Sequence, residues 1–274
     1  MSDSDNIQTV TVLSKTTWTP TLFSFTVTRP NSFKFTAGQF VRLGVNPSRL
    51  TYHLQNNSSE SQAPNEDIYR AYSIVSSPYD EVLEFFSIVI PEGAFTSQLQ
   101  HLQVGDELLL NTTPFGFLTL ARYQEPLPKD LWLLATGTGL APFLSMLQDL
   151  KTWEDYEYII LAYSARNEQE LAYIERIKQL EEDFGGLVNN PAKLTFVPIV
   201  TREEVAGALS KRLPELLLNG ELESFVGHKL SVAHSHVMLC GNPEMVEDTK
   251  ETLKQMGLVM NRRGVGNIAV ENYW

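Results

Sequence analysis

Leu131-Trp-Leu-Leu-Ala-Thr-Gly-Thr-Gly-Leu-Ala-Pro142 reads as three elements in succession. Leu131 to Ala135 is an unbroken apolar run of the length of a buried strand. Gly137 and Gly139 then form a turn in which backbone without side chains can approach another chain or a ligand. Pro142 suits the first turn of a helix, and the apolar pattern continues to Leu150. A helix opened in this way points free N–H groups at an anion lying beyond the strand. The stretch Leu131 to Leu150 also imitates a membrane span, because its single charge is Asp149. Gly137, Gly139 and Pro142 interrupt it near its centre, so strand, turn and helix are the better reading. The turn lacks the G-x-G-x-x-G spacing and does not by itself identify a ligand.

Working outward, the same alternation recurs towards the C-terminus. Tyr158 to Tyr163, Leu194 to Val200 and His236 to Cys240 are apolar strand-like runs. Helical patterns lie between and after them at Leu140 to Leu150, Glu170 to Glu182, Leu213 to Leu218 and Pro243 to Gln255. This predicts a doubly wound α/β domain: a parallel sheet with helices on both faces. Upstream the pattern is different. Val10 to Leu13, Leu22 to Thr28, Gln39 to Val45, Tyr69 to Val75, Leu83 to Ile90 and Glu107 to Asn111 read as short strands, several alternating apolar with polar residues. Such strands have one wet face, which suits an antiparallel β-barrel. A short helix is expected at Phe95 to Leu102, and Gln55 to Asp67, rich in Asn, Ser, Glu and Pro, as an exposed insertion. The two prolines of Tyr123-Gln-Glu-Pro-Leu-Pro-Lys129 suit a linker. Two domains are therefore expected, 1–125 and 126–274, with no internal repeat.

Composition narrows the function. The 274 residues are 43% hydrophobic and 20% charged, which is ordinary for a globular protein, with net charge -12. That charge argues against nonspecific nucleic-acid binding. The single cysteine, Cys240, cannot form an internal disulfide, ligate an iron–sulfur cluster or build a zinc site. It fits a reducing, cytoplasmic setting. The five histidines show no ligand spacing; His234 and His236 read as a strand-end surface feature, and no metal is expected.

Several residues carry possible chemistry. Arg70-Ala-Tyr-Ser73 opens a strand: an Arg can neutralise phosphate, a Tyr can stack on a flat ring, and a Ser can hydrogen-bond a ring nitrogen. Strand alternation puts Arg70 and Tyr72 on one face and Ser73 on the other. Arg166, Arg202 and Arg212 lie in the second half, the first two just beyond strand ends, where ligands of parallel sheets bind.

Four segments in one order, Arg70-Ala-Tyr-Ser73, Ala135-Thr-Gly-Thr138, Met238-Leu-Cys-Gly-Asn-Pro243 and Glu271-Asn-Tyr-Trp274, resemble the ferredoxin–NADP reductase family, most closely its bacterial ferredoxin/flavodoxin–NADP reductases. The resemblance covers Val10 to Trp274. It implies a barrel that holds FAD and an α/β domain that holds NADP(H). Arg70, Ala71, Tyr72 and Ser73 then match the flavin-binding strand, with Ser73 near the flavin N5 that exchanges hydride. Gly93, Ala94, Phe95 and Thr96 fall where the family contacts the pyrophosphate. Thr138 matches the nucleotide-facing loop. Glu271 and Tyr273 match the C-terminal carboxylate and ring-stacking aromatic, and Trp274 is the extra aromatic of the bacterial subgroup. Either Tyr273 or Trp274 covers the isoalloxazine, and that aromatic shifts for hydride transfer. Arg202 and Arg212 resemble a clamp on the 2′-phosphate, with Arg166, Thr201, Gly241 and Asn242 as further NADP contacts. Cys240 lies beside the nicotinamide in a positioning role. Ser73, Glu271 and Cys240 are the candidate catalytic residues.

The implied activity is electron transfer between NADPH and a one-electron carrier, in either direction. Without further cysteines the carrier must be a separate molecule, ferredoxin or flavodoxin. Carriers of this kind are acidic, so Arg29, Arg42, Arg49, Arg122, Arg262 and Arg263 are candidates for a docking patch on a protein expected to be a monomer. The competing readings are an NADPH–flavin reductase acting on free flavin, and a non-catalytic nucleotide-binding module.

Overall fold

The structure, a computed structural model, describes residues 6–56, 65–124 and 127–272. It divides into two units, Met1–Gly116 and Phe117–Trp274.

The first unit contains β1 (Ile7–Thr19), β2 (Leu22–Thr28), β3 (Phe40–Val45), α1 (Thr51–Asn56), β4 (Ile68–Ser73), β5 (Val82–Ile88), α2 (Thr96–Leu99) and β6 (Glu107–Asn111). Its six strands form one antiparallel sheet in the order β4-β3-β6-β1-β2-β5. The two edges meet: Ile74 bridges Phe85, and the Val75 amide donates to the Glu84 carbonyl at 2.9 Å. This contact curls the sheet into the expected barrel and leaves no long open edge. The interior is filled from every strand, by Val10, Val12, Phe25, Val41, Leu43, Tyr72, Phe85, Leu108 and Leu110 among others.

β1 is much longer than the four residues its apolar pattern marks. The extra length is polar and half wet, Ser14-Lys-Thr-Thr17, and it pairs through β2 with a Ser14–Thr26 hydroxyl contact of 2.7 Å. α1 was not expected. Its first residue is fastened to the barrel by Asp106, a buried carboxylate that accepts from the Thr51 amide at 2.9 Å, the Thr51 hydroxyl and the Gln103 amide. Arg29, half-exposed, donates to the carbonyls of Phe33, Pro78 and Asp80 and ties two loops together.

The second unit contains β7 (Asp130–Thr136), α3 (Ala141–Leu147), α4 (Leu150–Asp155), β8 (Tyr158–Ala165), α5 (Ile174–Asp183), β9 (Lys193–Val200), α6 (Leu213–Leu218), α7 (Glu221–Val226), β10 (Ser235–Gly241), α8 (Pro243–Gln255) and β11 (Ile268–Asn272). The sheet is wholly parallel, in the order β11-β10-β7-β8-β9. Consecutive residues of β7, β8 and β10 are buried, so both faces of the sheet are covered, as such sheets require. On one face Trp132, Leu134, Ile160, Val237 and Leu239 pack with Leu213 and Leu216 of α6 and Val246 and Leu253 of α8.

Three departures from the expected elements have local causes. The helix expected over Leu140 to Leu150 is a 3₁₀ turn at Gly137–Leu140, then α3, then α4. Asp149 breaks it by capping the Lys151 amide at 3.1 Å, while Thr152 and Trp153 satisfy the carbonyls of Met146 and Leu147 that α3 leaves open. α5 starts at Ile174 rather than Glu170 because Tyr173 takes a left-handed conformation, φ 64°. β11, unread in the sequence, adds a fifth strand beside β10. His236 is not a surface residue: it is buried, stacked on Tyr123 at 3.5 Å, and bonded through Nδ1 to the Tyr156 hydroxyl at 2.9 Å. Burial pushes its pKa down to about 4. No helix among the described residues is long and apolar enough to cross a membrane.

Asp106→Ala tests the α1 anchorage, because it strands two amides that have no other partner in place. Urea unfolding should show a loss of about 2–4 kcal/mol, against less than about 0.5 kcal/mol for a surface change such as Glu81→Ala.

Candidate functional site

The residues singled out in the sequence fall into two groups, one in each unit.

In the first unit, β4 delivers Arg70 to Ser73 and the turn before α2 delivers Gly93 to Thr96. Tyr72 brings the two together. Its ring lies 5.5 Å from that of Phe95, with Phe25 and Phe85 on other sides, and its hydroxyl bonds Ser87 Oγ at 2.8 Å. Burial raises its pKa far above the tyrosine range, so the hydroxyl stays protonated. Arg70 and Ala71 are exposed. The Arg70 guanidinium is turned back on the Tyr69 carbonyl at 2.7 Å. Gly93 sits in a tight turn whose geometry is set by Thr96 Oγ1, which bonds both the amide and the carbonyl of Ile90. A side chain at Gly93 would press on that hydroxyl at 3.1 Å. Ala94 is exposed and Phe95 is in the core.

Ser73 differs from its neighbours. It is 4% exposed, and its Oγ has no hydrogen-bond partner among the described residues. A buried hydroxyl left unpaired costs on the order of 1–3 kcal/mol, so such a group usually marks a ligand position or a functional strain. A ring nitrogen of a bound flavin would satisfy it. The residues of this unit therefore fit the FAD that the sequence implies.

In the second unit the site forms where the sheet order reverses. The chain moves from β7 out to β8 and β9, then returns to β10 on the other side of β7, which places a crevice beyond the carboxyl ends of β7 and β10. The two loops at this point touch backbone to backbone. A Cβ on Gly139 would lie 2.3 Å from the Cys240 carbonyl oxygen, and one on Gly241 would lie 2.2 Å from Thr136 Oγ1. Thr136 Oγ1 accepts from the Asn242 amide at 3.0 Å, and Asn242 caps α8 by accepting from the Glu244 and Met245 amides. Thr138, Cys240, Gly241 and Asn242 are thus brought together, Cys240 fully buried and Asn242 exposed. Thr136 lies inside the segment Ala135-Thr-Gly-Thr138 but was not named among the site residues. Its signal was its place as the last residue of an apolar strand.

Glu271 lies beside Cys240 in the β10–β11 register. Its Oε2 is buried without a hydrogen-bond partner among the described residues. Burial pushes its pKa up to about 7, against a weaker opposing pull from Arg122. Arg122 is therefore not simply a surface cation: it also donates to the Phe117 carbonyl at 3.2 Å and to Asn261 Oδ1 at 3.3 Å. Tyr273 and Trp274 lie outside the described residues.

At the ends of β8 and β9, the Thr201 amide donates to the Ala165 carbonyl and the Arg202 amide to the Arg166 carbonyl, at 3.1 and 2.9 Å. Arg166 is in an ion pair with Glu170 at 2.6 Å. Arg202 and Arg212 are exposed, and neither has an ion-pair partner among the described residues. Arg166 and Arg202, adjacent at the strand ends, can offer forked donors to a phosphate.

Comparison with known proteins agrees with this geometry. Residues 133–251 match the family model described as an oxidoreductase NAD-binding domain. The chain is 40% identical over 263 residues to the ferredoxin–NADP reductase of Pseudomonas aeruginosa, covering 94% of this chain and 93% of that one. It is 37% identical over 259 residues to the flavodoxin/ferredoxin–NADP reductase of Escherichia coli strain K12, covering 94% of each. Among solved structures, a ferredoxin NADP+ reductase from Neisseria gonorrhoeae with bound FAD and NADP superposes with a TM-score of 0.84 at 36% identity, covering 98% of this chain and 99% of that one.

The raised pKa of Glu271 has a definite sign. The fold favours its neutral form, so that contribution is complete below the ordinary value of 4.5 and is lost as pH rises towards 7. Glu271→Gln should match the parent in urea unfolding at pH 4.5 and exceed it at pH 8 by on the order of 2 kcal/mol. Equal stability at both pH values would contradict the assignment.

Proposed function

This chain belongs to the ferredoxin–NADP reductase family, and we propose from that premise that it is a flavoprotein oxidoreductase passing electrons between NADPH and a separate ferredoxin or flavodoxin. The single observation that carries the reading in this chain's own structure is the orphaned Ser73 hydroxyl, buried beside Tyr72 on the strand that the family's flavin motif occupies.

Bound FAD supplies the step between a two-electron nicotinamide and a one-electron carrier. The residues divide the remaining work. Ser73 gives its hydroxyl to the flavin ring nitrogen N5. Tyr72, fixed by Ser87 and three phenylalanine rings, is a rigid backing for the ring. Arg70, once released from the Tyr69 carbonyl, pairs with the diphosphate, and the turn Gly93 to Thr96 gives it backbone amides. Ala71 keeps the strand surface between them flat, and Phe95 locks turn to strand.

In the second unit the Thr138 turn and Gly241-Asn242 line the crevice for NADP(H). Cys240, fully buried at the strand end, positions the nicotinamide by its bulk. Arg202 and Arg212 supply charge to the 2′-phosphate, with Thr201 and Arg166 as neighbours. Glu271, with a pKa near neutrality, holds a proton and releases it without a large energetic penalty. Tyr273 and Trp274 provide the terminal aromatics. The carrier docks on the exposed arginines Arg42, Arg49, Arg262 and Arg263, of which Arg42 lies over the Tyr69 ring, 5.7 Å from its centroid. The lone buried cysteine suits a reducing, cytoplasmic setting, and the enzyme is proposed to be a monomer.

The clamp is testable by cofactor choice. Arg202→Ala and Arg212→Ala should each raise KM for NADPH in carrier reduction by roughly tenfold or more, about 1.4 kcal/mol per lost charged contact, while KM for NADH changes by less than about twofold. If both cofactors weaken equally, the arginines do not read the 2′-phosphate.

A further inference from the structure

The carboxyl end of β8 carries an ion pair whose geometry is more specific than the fold requires. Beyond Ala165 the chain makes the 3₁₀ turn Glu168–Glu170, which folds back so that Glu170 faces Arg166. Glu170 Oε1 accepts from Arg166 Nη2 at 2.6 Å, and Oε2 accepts from Nε at 3.2 Å and from the Arg166 amide at 3.1 Å. The main-chain carbonyl of Glu170 accepts from the hydroxyl of fully buried Tyr163 at 3.0 Å. Both ends of Glu170 are therefore fixed. Its side chain is 18% exposed, whereas that of Arg166 is 49% exposed. Burial works against the charged carboxyl, yet the Arg166 fork outweighs it and holds the group below the usual carboxylate range.

A guanidinium has two forked edges, one made of Nε with an Nη and one made of the two Nη groups at the tip. Glu170 takes the first. The tip keeps Nη1 and the second proton of Nη2, and no protein group among the described residues accepts from Nη1. Arg202 is fastened alongside through its amide, with its own guanidinium uncommitted.

We propose that Glu170 is a positioning residue for NADP(H): by gripping one edge of Arg166 it aims the guanidinium tip at the 2′-phosphate. The proposal rests on the reading of Arg166 as a nucleotide contact. An arginine held this way has given up much of its rotamer freedom before the ligand arrives, so less ordering entropy is lost on binding. Glu170 also places a negative charge near a phosphate, which opposes binding. The pair with Arg166 is neutral as a whole, and orientation outweighs the repulsion.

The test is calorimetric binding of 2′,5′-ADP and 5′-ADP, which differ in the 2′-phosphate, to the full-length FAD-loaded protein and to its Glu170→Gln, Arg166→Ala and doubly substituted forms. Glu170→Gln should weaken 2′,5′-ADP on the order of fivefold and leave 5′-ADP unchanged. Arg166→Ala should weaken 2′,5′-ADP at least as much, and adding Glu170→Gln to it should have no further effect. KM for NADPH should rise in parallel in Glu170→Gln, without a matching rise for NADH. Equal weakening of both nucleotides in Glu170→Gln would mean a merely structural role and overturn the proposal, as would tighter or unchanged 2′,5′-ADP binding. An unchanged affinity in Glu170→Gln together with a loss in Arg166→Ala would sink only the positioning role. No loss in either would sink the reading of Arg166 as well.

Discussion

The contact on which the second half of the molecule depends is the meeting of two backbones at the ends of β7 and β10. Gly139 and Gly241 are the residues that permit it, because a methyl group at either position would overlap backbone or the Thr136 hydroxyl. With that contact made, Thr136 can accept from the Asn242 amide, Asn242 can cap α8, and Cys240 is delivered to the head of the crevice. β11 then places Glu271 alongside Cys240. A dinucleotide crevice, a buried thiol and a carboxyl with near-neutral pKa thus follow from one close approach.

The first half works by a different means. A closed barrel gives little room for a ligand inside it, and its interior is filled by phenylalanines and branched aliphatics. The binding proposed for this unit is therefore at its rim, using residues at a strand end and on a turn. Tyr72 and Phe95 join those two pieces through the core, so the exposed Arg70 and Ala71 and the turn at Gly93 are held at a fixed distance. Two of the buried polar atoms that the fold leaves unpaired, Ser73 Oγ and Glu271 Oε2, belong to residues singled out for chemistry. Unpaired groups of this kind cost stability, and natural folds tolerate them chiefly where function needs them.

Much of this was legible in the residues. The apolar runs around Leu131, Tyr158 and His236 announced the parallel sheet because strands covered on both faces need no alternation. The helix read from Pro243 to Gln255 is α8, and the structure adds its cap, Asn242. The polar half of β1 was illegible, since Ser14 to Thr17 gains its place by pairing with β2 rather than by its own pattern. α5 was misplaced by four residues because no rule of periodicity foresees a left-handed Tyr173. Arg29 and His236 looked like surface residues, and each has been recruited by contacts within the fold, Phe33 and Pro78 for the one and Tyr156 and Tyr123 for the other. Glu170 was read only as the first residue of a helix; its pairing with Arg166, and the edge of the guanidinium it takes, emerge from the turn that folds it back.

The most direct measurement is the visible absorption spectrum of the purified protein, taken anaerobically before and after one equivalent of NADPH. The account predicts a yellow protein whose flavin bands bleach with NADPH and recover when an oxidised ferredoxin or flavodoxin is added. A colourless protein, or a yellow one whose bands persist through the addition of NADPH, would contradict it.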